Sequence, residues 1–251
     1  MEHTKPIRNA KPTVSVKPTI KLSELNLTPV YIALFVVLIS IVLFFLWKKK
    51  SQKRTDLLLT GLCESGKTLL FSQLVHNTAS ETFTSIAENV GEYVAEGSGK
   101  SLRVIDIPGH ERLRGRFFDQ YKNTAKGIVF LVDSVTVQKD IRDVADYLYT
   151  VLADPSVAFV PVLITCNKQD ETFAKGSSVV KPLLEKELNL VRNTRQNQLQ
   201  SVDNSTSDVV FLGKQGKDFE FVHLSQSVEV IECSGRENDV KSLKRWLKSL
   251  N

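Results

Sequence analysis

Two kinds of hydrophobic pattern divide this chain. From Val30 to Trp47 the run VYIALFVVLISIVLFFLW holds 18 residues without a charge, and beyond Arg54 short apolar runs alternate with longer amphipathic stretches. Such alternation is the signature of a mostly parallel sheet with helices on both faces, so an α/β class is expected. The runs at 56–60, 102–107, 127–133, 160–165 and 228–232 read as buried strands, and 88–95 as a weaker edge strand. Helices are expected over 67–75, 111–124, 139–152, 178–190 and 238–250. In the last, Val240, Leu243, Trp246, Leu247 and Leu250 recur at helical spacing, which makes Trp246 a core residue. The stretch 192–217 breaks the pattern: it is rich in Asn, Gln, Ser and Thr, and is expected to be a solvated, mobile insertion.

At about 1.5 Å per residue, the uncharged run makes roughly 27 Å of helix, close to a bilayer's hydrocarbon thickness. It is longer than a signal-peptide core, and Lys48-Lys49-Lys50 follows it where a small-residue cleavage site would stand. A retained transmembrane helix over 30–47 is therefore expected. The net charge of +5 is unevenly spread. Lys48, Lys49, Lys50, Lys53 and Arg54 form a basic linker over 48–54, whereas 55–251 is slightly acidic, so direct nucleic-acid binding by the domain has little support. The positive-inside rule then places 55–251 in the cytosol and the tail 1–29 in the lumen. Cys63, Cys166 and Cys233 are too few and too scattered for a disulfide framework or a zinc site, and are expected to be buried, reduced thiols.

Candidate chemistry sits at the ends of the predicted strands. Gly61-Leu62-Cys63-Glu64-Ser65-Gly66-Lys67-Thr68 is a G-x4-GK[ST] loop that follows a strand and opens a helix. Its backbone N–H groups can cradle phosphates at the helix N-terminus, with Gly61, Glu64, Ser65, Gly66, Lys67, Thr68 and Leu69 as the expected contacts. Lys67 would reach the β- and γ-phosphates, and the Thr68 hydroxyl would ligate Mg²⁺. Asp106-Ile107-Pro108-Gly109 closes another strand: Asp106 would hold Mg²⁺ through water, and the Gly109 N–H would sense the γ-phosphate. Asn167-Lys168-Gln169-Asp170 supplies a base-recognition loop. A carboxylate at Asp170 can accept from guanine N1–H and its 2-amino group together, which adenine cannot offer. Cys233-Ser234-Gly235 follows a further strand, placed for a backbone contact to the guanine oxygen. Thr84 is the expected switch threonine completing the Mg²⁺ shell, with Thr82 the alternative.

Taken in order, GLCESGKT, the switch threonine, DIPGH, NKQD and CSG resemble the small Ras-like GTPases, and most closely their coat-protein and ADP-ribosylation-factor branch. With an N-terminal membrane helix the chain resembles the family of signal recognition particle receptor β subunits. Thr84-Ser85-Ile86, DIPGHERLR, TCNKQD, LGKQGKDFEF and VIECSGR carry that likeness. It implies GTP or GDP with Mg²⁺, residence in the endoplasmic reticulum membrane, and a heterodimeric partner, the receptor α subunit, held there for co-translational targeting. Ser-Gly-Arg stands where many relatives have Ser-Ala-Lys, a departure that touches only the last base contact. Ras itself uses Gln at the position of His110, which makes His110 the candidate for positioning an attacking water. No strong arginine finger is evident in cis, so any intrinsic GTPase activity is expected to be slow. A partner-recruiting switch, a plain nucleotide-loaded anchor and a coat- or vesicle-type GTPase all remain open on the sequence alone.

Overall fold

The computed structural model describes residues 28–50, 54–78, 85–94, 99, 101–201 and 211–250, with side chains through Phe44 in the first helix and through Asn197 in the fifth. The chain divides into a unit ending at Ser51 and a second from Gln52 onward. The first contains helix α1, Thr28–Lys50, whose described side chains through Phe44 are all exposed. The expected span 30–47 lies inside α1. Among the described residues, no helix is long and apolar enough to cross a membrane. The tail 1–27 and residues 51–53 of the basic linker lie outside the described residues.

In the second unit, strands β1 (Asp56–Gly61), β2 (Asn89–Val94), β3 (Ser101–Asp106), β4 (Ala125–Asp133), β5 (Val162–Asn167) and β6 (Val228–Glu232) form one sheet in the order β2-β3-β1-β4-β5-β6. All neighbours are parallel except β2, which pairs antiparallel with β3 at the edge. Every residue of β1 is buried, because helices cover both sides of the sheet. Alternation divides its side chains. Leu57 and Leu59 join Leu70, Phe71, Leu243 and Trp246 from α2 (Lys67–Val75) and α6 (Lys241–Ser249). Leu58 faces the opposite way, with Phe118 from α3 (Glu111–Tyr121), Leu148 from α4 (Val137–Leu152) and Leu184 from α5 (Ser177–Ser201). Trp246 is thus a core residue.

Two expectations need correction. The stretch 192–217 is not a solvated insertion throughout: α5 continues to Ser201, and Leu212 enters the core, followed just beyond the stretch by Phe219 and Phe221. The cause is Arg192, only 5% exposed, which donates to the carbonyls of Leu212 and Lys217 and lies over the Phe211 ring. A buried guanidinium with carbonyl acceptors ties the returning chain to the helix. Residues 202–210 lie outside the described set. The second correction is Cys63, which is exposed while Cys166 and Cys233 are buried. It sits at a variable position of the phosphate loop, whose side chains turn outward as the backbone turns in. For the buried pair, burial pushes each thiol up to about 12, so both are inert.

Candidate functional site

Strands β3 and β1 are neighbours and β5 lies across β4 from them, and the loops leaving their C-terminal ends build the site, as open α/β sheets require. A cleft of about 290 Å³ lies between Glu64, Gly66, Lys67, Thr68, Ser85 and Lys168. Gly66 precedes α2 with φ +88°, and a Cβ there would fall 2.3 Å from the Asn167 amide nitrogen. Only glycine lets the phosphate loop and the base loop touch. Asn167 uses that approach: its amide donates to the Ser65 carbonyl at 2.8 Å, and its oxygen accepts from Gly235 N–H at 3.0 Å and from the Cys233 thiol at 3.5 Å. One side chain therefore joins three of the motifs read from the sequence.

Lys67 is 6% exposed, and its ammonium donates to the Leu62 carbonyl at 2.6 Å. Burial pushes its pKa down, opposed by the carboxylate of Asp106. Gly109 packs so closely that a Cβ would come within 2.6 Å of both the Lys67 ammonium and the Cys63 N–H. The Thr68 hydroxyl donates to one Asp106 oxygen at 2.8 Å, and Asn89 donates to that same oxygen at 2.9 Å. The other oxygen, Oδ1, is buried without a hydrogen-bond partner. Burial drives the Asp106 carboxyl upward, against Asn89, Thr68 and Lys67. A half-satisfied buried carboxylate beside a hydroxyl suits a hard divalent cation. Among the described residues, no group of three or more His, Cys, Asp and Glu could hold a metal by itself. Mg²⁺ fits such a donor set, since it keeps waters and takes phosphate oxygens for much of its shell. Thr84 and Thr82 lie outside the described residues; Ser85 is within them, 3.2 Å from the Thr68 hydroxyl.

At the base side, Asp170 accepts from the Ser234 hydroxyl at 2.6 Å, and Ser234 in turn accepts from Glu237 N–H. This orients the carboxylate and leaves lone pairs on both oxygens for further donors. Lys168, with φ +67°, is paired with Asp133 at 2.6 Å, so its stem is held across the loop. Glu64 is exposed and Leu69 half-buried at the cleft's rim. A Cβ at Gly235 would meet Leu69 and Asn167 at 3.6–3.7 Å, ordinary contact distances, so the loop has room for the alanine that many relatives carry there. His110 is exposed and caps α3, its Nδ1 accepting from Arg112 N–H at 3.3 Å.

Several supporting residues escaped the sequence reading. Asn89 opens the edge strand and reaches Asp106 only because β2 runs antiparallel, pairing the two positions. Asp133 had a signal, an acid closing the apolar strand β4 at the ligand-binding edge. Gln73 holds the Gly235 carbonyl at 3.2 Å from the middle of α2, where nothing in the sequence marks it.

A family model described as "Signal recognition particle receptor beta subunit" matches residues 51–228. The signal recognition particle receptor subunit beta of Rattus norvegicus is 40% identical over 247 residues, covering 94% of this chain and 91% of that protein. The chain belongs to the signal recognition particle receptor β-subunit family. Solved structures agree. The mammalian SRP receptor matches with a TM-score of 0.70 and 41% identity over 78% of this chain and 100% of the other. The Chaetomium thermophilum receptor β subunit described with GDP and Mg matches at 0.62 and 26%, over 80% of this chain and 100% of that one. This β-subunit family member therefore has the P-loop GTPase fold, and the motifs above lie where that fold gathers its ligand loops.

Proposed function

We propose that this chain is a membrane-anchored, GTP-binding switch that holds the receptor α subunit at the endoplasmic reticulum membrane. The observation that carries the reading is Asn167, which ties the phosphate loop at Ser65 to the loop after β6 at Gly235, while Ser234 of that same loop orients the Asp170 carboxylate. A phosphate cradle alone accepts any nucleoside triphosphate; a fixed carboxylate facing the base side selects guanine. In this reading the loop N–H groups and Lys67 hold the phosphates, Lys67 exchanging the Leu62 carbonyl for phosphate oxygens. Thr68 and Asp106 position Mg²⁺, which when bound supplies positive charge to the β- and γ-phosphates. Gly109 N–H senses the γ-phosphate, and Thr84 completes the cation's shell. The related Chaetomium thermophilum structure described with GDP and Mg supports the cofactors.

Hydrolysis is a slow side of this function. His110 is engaged in capping α3 and must release Arg112 N–H before its Nδ1 can orient a water. Arg114 is held over the Tyr147 ring, with its guanidinium 4.5 Å from the centroid. The anchor would be the sequence's uncharged run of 18 residues, 30–47, which extends beyond the side chains described in α1; that run and the cations from Lys48 to Arg54 support a single span with residues 55–251 on the cytosolic side. Belonging to a family of receptor subunits supports the α-subunit partnership.

The test is nucleotide competition on the full-length protein in detergent. A fluorescent GTP analogue should be displaced by GTP about 10³-fold or more better than by ATP. Asp170→Asn should shift the preference toward xanthine nucleotides. Equal displacement by ATP and GTP in the unaltered protein would overturn the proposal.

A further inference from the structure

Resting on the anchor reading above, we propose that the pole of the domain where the strands begin is a lipid-contacting surface, with Phe159 and Val222 entering the headgroup region of the bilayer. Both side chains are large, apolar and outward-facing, at 81% and 73% exposure. Ile86 and Phe173 are comparably exposed, but they stand at the nucleotide end of the sheet. Phe159 follows the single-turn helix Pro155–Val157 and precedes β5; Val222 is the centre of the single turn Phe221–His223 that precedes β6. The two turns are tied, since the Ser225 hydroxyl donates to the Ala158 carbonyl at 3.0 Å.

The chain coming from α1 enters the domain at this same pole. Arg54 donates to the Ser156 carbonyl at 2.8 Å, three residues before Phe159, and Thr55 N–H donates to Thr124 at 3.0 Å. Helix α1 ends at Lys50. Four peptide links from Lys50 to Arg54 can reach no more than about 14 Å. If α1 spans a bilayer, the sequence puts Lys48–Lys50 at its cytosolic face, where such cations bind anionic headgroups. Arg54 and the turn it holds must then lie within that short reach of the lipid. The polar region of each leaflet is itself several ångströms deep. An aromatic ring and a valine directed outward from a tethered pole are thereby offered an apolar boundary in place of water.

The experiment places the photoreactive analogue p-benzoyl-phenylalanine at position 159, at 222, or at 139 as a control. Lys139 is exposed in the first turn of α4, at the nucleotide end. Full-length protein is reconstituted into vesicles of zwitterionic and anionic phospholipid, floated, irradiated and examined for lipid adducts by mass spectrometry. Adducts at 159 and 222 should exceed those at 139 severalfold. Flotation with adducts at 159 no higher than at 139 overturns this surface alone. Crosslinking at 159 to an added α subunit in place of lipid does the same and assigns the patch to protein. Failure of the full-length protein to float overturns the anchor, and this surface with it.

Discussion

Tyr147 shows how single residues set the phosphate loop. Its hydroxyl lies 2.5 Å from that of Thr60, a buried residue directly before Gly61, and its ring carries the Arg114 guanidinium. Burial pushes the Tyr147 phenol up to about 12, with the Thr60 hydrogen bond opposing, so it stays protonated at any working pH. Tyr147→Phe keeps the ring and the stacking but leaves a buried Thr60 hydroxyl without its partner. The expected cost is about 1–2 kcal/mol of stability, read from the urea midpoint. Tyr147→Leu should lose more, by about 0.5–1 kcal/mol for the cation–π contact in addition to ring packing. Equal midpoints for Tyr147→Phe and the unaltered protein would show that the short contact contributes nothing. Nothing in the sequence marks this pair: a tyrosine on α4 becomes the platform for Arg114 only in three dimensions.

Among elements, β1 is where sequence and structure agree most closely, and where a buried carboxylate pairs with a half-exposed arginine. Asp56 is fully buried; burial raises its carboxyl pKa, but hydrogen bonds from Arg103, Thr124 and Thr55 outweigh that and hold it below the usual range. A depressed carboxyl stabilises the fold above its unfolded pKa, and that stabilisation fades as pH falls through the folded value. Asp56→Asn should cost about 2 kcal/mol at pH 7, a figure reduced because Arg103 is 47% exposed. The deficit should shrink in denaturation curves taken below about pH 4. A deficit that is constant with pH would assign the effect to packing. Strands were legible because fully buried parallel strands are continuous apolar runs, and α2 because the phosphate loop marks its start. Helix α5 was cut short at 190 in the sequence reading because Asn, Gln and Arg carry no helical hydrophobic stripe. Their hold comes instead from Arg195 on Asp146 and Arg192 on the returning chain. The ligand-edge motifs were legible by spacing; Asn89 and Gln73 were not, since their roles depend on which strands and loops become neighbours.

For the molecule as a whole, switching requires that some surface differ between nucleotide states. Segments following β3 and preceding β2 meet at Asp106, through Thr68, Ser85 and Asn89. Full-length protein loaded with a GTP analogue should capture the α subunit better than the GDP-loaded or nucleotide-free form, and Thr68→Asn should lose that advantage. Equal capture in all three states would favour a constitutive anchor. The bond between Asn167 and Ser65 has a further consequence during biosynthesis. The phosphate loop leaves the ribosome first, but its partner follows about 100 residues later, and Gly235, which Asn167 also holds, is about 170 residues behind Ser65. At roughly 5–20 residues per second, about 10–35 s of translation separate the first half of the pocket from the last. A nascent chain thus passes through a long interval in which it can be inserted into a membrane yet has no complete guanine site. Under the proposed anchoring, a chain inserted during its synthesis would reach the bilayer before its guanine site is complete.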